Sequence, residues 1–147
     1  MNPPDLTKQP PRSPRVRLGG YVILPRILDK CRAVLAGTQG DYKFACSVDQ
    51  RFFSYVGIEP EAFKTQVAQG KGDSEMLAWI RAAARPARCA AEIAAWSAYQ
   101  EATVPGTPDA RDFFQRLHTQ IAPGRDDITT WFDLLDLDDF VSFGGSP

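Results

Sequence analysis

The spacing of apolar residues predicts a chain that is helical almost throughout. After Leu18-Gly19-Gly20, the residues Leu24, Ile27, Leu28, Cys31, Val34 and Leu35 recur at three- and four-residue intervals, with Pro25 near the first turn and Gly37 past the end. That pattern is a helix over 24–36 with its own start and stop signals. Tyr42, Phe44, Cys46 and Val48 alternate instead, which predicts a strand within 41–48 that has no evident partner. Helical spacing returns with Phe52, Phe53 and Val56, where Asp49 is the expected cap and Gly57 the stop. Pro60 opens the next helix, Ile58 is placed to staple on Phe63, and Gly70 closes it. Asp73 is the expected cap of a helix carrying Met76, Leu77 and Ile80, which must end before Pro86. Three more follow: 87–102 with Cys89, Ile93, Trp96 and Tyr99; one from Thr107-Pro108 with Phe113, Phe114, Leu117 and Ile121; and 128–140 with Trp131, Phe132, Leu134 and Leu135.

These elements sum to a mainly α, single-domain bundle of about seven mostly short helices, with at most one short strand near Tyr42–Cys46. A chain of 147 residues fits one domain and can bury a core without metal or disulfide support. The start, MNPPDLTKQPPRSPR, is rich in proline and base, so an extended basic arm over 1–18 precedes a helical domain over 19–147. Trp79 follows its apolar neighbours imperfectly; core is the preferred reading, with the edge of a pocket or interface as the alternative.

Charge changes the picture more than composition does. Residues 1–32 carry seven Lys or Arg against Asp5 and Asp29, whereas residues 126–147 carry six Asp and no base, within a net charge of −1. Asp138 and Asp139 fall where the last helix ends, where negative charge opposes the helix dipole by about 0.3–1 kcal/mol. The expected compensation is the arm, with residues 12–17 crossing the end of the last helix and pairing with those carboxylates.

Two functional readings follow. In the first, the protein is a binding or assembly module whose arm docks on the acidic helix of its own chain or of a second copy, so that the partner is the protein itself as a homo-oligomer. In the second, Arg15, Arg17, Arg26 and Lys30 contact a small anionic ligand, with Asp29 and Tyr21 as acid/base partners. Arg15 and Arg17 project to one side of an extended segment, Arg26 and Lys30 share a helix face, and Asp29 and Arg32 can pair on it. Gly19-Gly20 would lead backbone N–H groups at the helix start toward the anion.

Other chemistry is thinly represented. His118 and three scattered cysteines lack metal-ligand spacing, the serines sit in no nucleophile context, and no cofactor motif occurs. Each cysteine reads as a small buried hydrophobe. An acidic pI of about 5.8 and six Asp at one end argue against nucleic acid. No apolar run is long enough for a membrane span, and the odd cysteine count fits a reducing, cytoplasmic setting. The segments PRSPR, LGGYVILPRILDKCRA and WFDLLDLDDF resemble a family of uncharacterised bacterial proteins grouped as a domain of unknown function. The resemblance implies a single cytosolic domain and supplies no reaction, cofactor or catalytic residue.

Overall fold

The computed structural model describes residues 2–147 and contains seven helices: α1 (Leu24–Ala36), α2 (Ser47–Val56), α3 (Pro60–Ala68), α4 (Asp73–Ala83), α5 (Ala90–Ala102), α6 (Pro108–Ile121) and α7 (Trp131–Ser142). The bundle is mainly α, as the periodicity predicts. Its axis is α1, in which every residue from Leu24 to Cys31 is buried. Around it Phe52, Phe53 and Val56 of α2, Phe63 and Val67 of α3, Met76 and Ile80 of α4, Ile93 of α5 and Phe132 of α7 form one core. A second, smaller core joins Phe114 of α6 to Leu134 and Leu137 of α7, with Ala122 and Ile128 from the connection between them. Trp79 packs on the first core, its ring 6.4 Å from that of Phe63.

The alternating segment is not a strand. Residues 41–46 run through turns, and Ala45 takes a φ of 60°. Their side chains are held one at a time: Phe44 lies against Phe53 and Phe63, and the Tyr42 hydroxyl bonds to α7. A period of two without a partner strand leaves the ladder groups unmet, so local anchoring wins.

Several helix starts differ from the sequence reading. Asp49 is inside α2, three residues after the Cys46 N-cap, and its carboxylate accepts from Ala45 N at 2.9 Å. Gly72, not Asp73, caps α4, because Glu75 satisfies the Gly72 N–H and Asp73 is drawn to arginines. Helix α5 begins at Ala90, where Glu92 accepts from Cys89 N. Helix α7 begins at Trp131, because Thr130 and Asp133 form a reciprocal capping box.

The arm lies on the body. Leu6, Pro11 and Pro14 are buried, Leu6 N donates to Thr38 O at 2.8 Å, and Ile23 N donates to Pro14 O at 2.9 Å. Between arm and α1, Leu18 and Tyr21 exchange both backbone hydrogen bonds around Gly19 and Gly20, whose φ values are 58° and 85°. Positive φ at both central positions is the requirement of a tight reversal and explains the glycine pair. Ser97, fully buried on α5, pins this turn by donating to Gly20 O at 2.6 Å and accepting from Val22 N at 3.1 Å.

Candidate functional site

Arg26, Asp29 and Lys30 occupy positions i, i+3 and i+4 of α1, so they share one face of the most buried helix. Charge at such positions survives only where each group meets a partner, because burying an unpaired ion is prohibitive. Every one of the three does so. Arg26 makes a two-pronged pair with Asp139 of α7 at 2.7 and 3.2 Å, and donates to Arg12 O at 3.2 Å. The Tyr42 hydroxyl donates to the same carboxylate at 2.7 Å. Burial alone would lower the Arg26 pKa, but the Asp139 carboxylate more than offsets it and the net direction is up. Burial, then the bond to Asp139 and its charge, push the Tyr42 phenol above its ordinary range. Lys30 Nζ donates to Asp49 at 2.8 Å, to Lys43 O at 3.0 Å and to Cys46 Sγ at 3.4 Å, with both charged side chains almost wholly enclosed.

The arm closes over this seam. Arg12 holds Asp29 through its side chain at 2.8 and 3.0 Å and through its backbone N–H at 2.9 Å. Its other edge reaches Asp73 at 2.7 Å, where Arg32 of α1 arrives from the opposite side at 2.8 Å. One arginine therefore ties the arm to α1 and α4. Three residues on, Arg15 lies between Asp133 and Asp136 of α7, bonding the latter at 3.0 Å, and Ser13 Oγ donates to Asp136 at 2.7 Å. Arg17 turns away to Glu101 of α5 at 3.1 Å.

These contacts revise the geometry read from the sequence. The arm crosses the first half of α7, not its end, and Asp139 is met by Arg26 of α1. Among the described residues, Asp138 keeps only a long contact with Ser142 Oγ at 3.5 Å. Although exposed as a residue, Asp138 has a carboxyl group held above the usual range by partial desolvation and by the neighbouring Asp139 charge. Asp29 and Arg32 take separate partners, and Arg15 and Arg17 diverge because the chain turns at 14–15. Tyr21 is packed edge-on among Phe52, Tyr55 and Trp96, with no hydrogen bond to Asp29. The start of α1 is buried beneath Pro14. Cys31 is the small hydrophobe expected, its thiol pushed up to about 12 by burial, but Cys89 is exposed as the N-cap of α5 and Cys46 is partly so. His118 holds the loop after α6 through Arg125 O.

The arm contacts also carry a pH signature. Partial burial works against the Asp73 charge, but hydrogen bonds from Arg12 and Arg32 outweigh it and hold the carboxyl below its ordinary value of 3.8. A depressed carboxyl stabilises the fold above the unfolded pKa, and that contribution disappears as pH falls through the folded value. Asp73→Asn is therefore expected to lower the urea midpoint at pH 7, with the gap to the parent protein closing below about pH 4. A gap that stays constant from pH 7 to pH 2 would contradict the assignment.

Beside the charge seam is a cleft that sequence reasoning missed. It separates α2 from the α6–α7 hairpin, has a volume of about 530 Å³, and lies where the two cores meet. Val48 of α2, Phe113 and Leu117 of α6, and Trp131, Leu134 and Leu135 of α7 form apolar walls, while Arg51, Asp109 and Asp138 bring charge to it. A smaller hollow of about 210 Å³ adjoins it through Cys46, Val48, Leu135 and Asp138 and exposes parts of Arg26, Lys30 and Tyr42. The only sequence signal was indirect: α6 carries four large apolar residues, Phe113, Phe114, Leu117 and Ile121. Among the described residues, no cluster of three His, Cys, Asp or Glu is arranged to hold a metal ion, and no helix is long and apolar enough to cross a membrane.

No curated protein matches the chain. A family match, however, runs over residues 8–141, from just before the arm's first clasping arginine to the last turn of α7. Because that span takes in both halves of the charge seam and nearly the whole fold, the chain belongs to the family described as Domain of unknown function (DUF5069).

Proposed function

We propose that the protein is a binding module in which the N-terminal arm acts within its own chain as a clasp, keeping the α6–α7 hairpin in place so that the cleft beneath it receives a small organic ligand. The observation that carries this reading is the position of the cleft. One of its walls is α7, and α7 is held from its other side by Ser13, Arg15 and Arg26. Cavities of some 300–1,000 Å³ at the joint between packed units are the usual form of small-molecule sites. The arm's arginines meet carboxylates of the same chain, and this set of ion pairs is the clasp proposed in cis. It favours the binding-module reading over an anion site on Arg15, Arg17, Arg26 and Lys30, since each of those cations already has a carboxylate partner. Free thiols, one of them exposed, support a cytoplasmic setting.

The test is to fill the cleft. Ala110 is a half-buried residue of α6 on its wall. Ala110→Trp is expected to keep the helical circular dichroism spectrum and to abolish the fluorescence enhancement of the neutral apolar probe prodan, which the parent protein should produce at micromolar concentrations. Equal enhancement by both proteins would remove the cleft as the binding site.

A further inference from the structure

Most of the chain's buried and half-buried arginines meet a carboxylate. Arg12, Arg26, Lys30 and Arg32 each reach a carboxylate. Arg51 does not. It lies on α2 at the cleft wall, is half-buried, and among the described residues forms no ion pair; its one side-chain hydrogen bond is a long 3.4 Å contact from Nη1 to Gln100 Oε1. Most of the five N–H donors of its guanidinium are therefore unused. Burial lowers its pKa from the ordinary arginine value, which is the mark of a charge that has lost water without gaining an anion. Arg88, the other half-buried arginine without a carboxylate, is held by Tyr55, lying over the ring at 4.2 Å and donating to the backbone carbonyl at 3.1 Å, although its Nε is buried without a partner among the described residues.

From this geometry we infer that the cleft takes a small monocarboxylic acid, its carboxylate on Arg51 and its hydrocarbon or aromatic body between Phe113, Leu117, Trp131 and Leu134. The assignment rests on the binding reading above and names its ligand class. A carboxylate matches the planar guanidinium through two parallel hydrogen bonds, and a partly dry site strengthens them. The body is apolar because the walls are: Phe113, 49% exposed, lines the cleft with Leu117, Trp131 and Leu134. Asp109 and Asp138 at the same cleft set the charge limit, since a second anionic group on the ligand would face them. The cleft therefore selects one negative charge and disfavours phosphates and diacids.

The experiment compares three probes of one chain length, decanoate, decanol and decyltrimethylammonium, binding to the full chain and to Arg51→Gln. Trp131 fluorescence is one readout. The alkylation rate of Cys46, which lines the cleft, in a Cys89→Ser background is the second. Decanoate is expected to bind best, to slow alkylation of Cys46, and to lose about ten- to hundred-fold in affinity in Arg51→Gln, the range of a charged hydrogen-bonded pair. Decanol affinity should be nearly the same in both proteins. Equal binding of decanoate and decanol, or a decanoate affinity unchanged in Arg51→Gln, overturns the ligand class while leaving a binding cleft. Absence of binding by all three at millimolar concentration, or a self-associated chain whose interface covers Phe113, overturns the ligand class and the small-molecule cleft together.

Discussion

Asp139→Ala is expected to cost the fold about 3–5 kcal/mol, the range for removing one partner of a buried ion pair. For a chain of this size that is a fall of roughly 10 °C in melting temperature. The Asp139 and Arg26 side chains are 8% and 5% exposed, and the carboxylate accepts from two Arg26 nitrogens and from the Tyr42 hydroxyl. Its removal strands a guanidinium that cannot shed its proton, together with a phenol, with three bonds to the carboxylate lost. The double variant Arg26→Met/Asp139→Leu is expected to recover most of the loss, because a packed apolar pair carries no desolvation penalty. Urea titrations of the three proteins decide the matter. A single variant within 1 kcal/mol of the parent would mean that the pair is solvated in solution and that α7 is not held to α1 there.

Gly57→Ala is expected to destabilise by a comparable amount through a different mechanism. Gly57 ends α2 with φ 65°, and a Cβ built on it would lie 2.2 Å from the carbonyl oxygen of Arg85. Left-handed backbone alone costs alanine about 1–2 kcal/mol. The obstruction adds more because it is backbone, and Arg85 N already donates to Val56 O at 2.9 Å. The chain cannot step aside without losing that bond, so a total near 3 kcal/mol or above is expected. Gly57→Asn separates the two causes. Asparagine tolerates the left-handed region but still carries a Cβ, so it should be nearly as damaging as alanine. Recovery of parent stability by asparagine would show that conformational strain, and not the approach of the 84–86 segment, was the whole effect.

The two substitutions mark where local sequence was readable and where it was not. Gly57 could be recognised as a helix stop from Phe52, Phe53 and Val56 ahead of it, but nothing in that stretch indicates the Arg85 carbonyl packed on it. Likewise the aspartates at the end of the last helix stood out because they oppose its dipole, and the arm was the plausible counter-charge. Asp139 finds its cation on α1, since burying Arg26 next to it satisfies two desolvated groups at once. The arm is left to Asp136 and Asp133, about one and two helical turns earlier. The strand expected near Tyr42 failed for a related reason: alternation describes which residues are apolar, not whether a second strand exists to complete the backbone bonds.

Sequence alone determined the number and order of the helices, the placing of most of their apolar faces, and the opposition of a basic front to an acidic end. Those properties depend on residues three or four apart and on charge totals, which local spacing carries in full. Only the tertiary structure decided which carboxylate meets which cation, that the start of α1 is buried, and that a cleft with Arg51 on its wall lies between the two cores. The pairings of the seam join residues 17 to 121 positions apart. Each carboxylate on the sequence is an equally good candidate until packing brings one of them within reach.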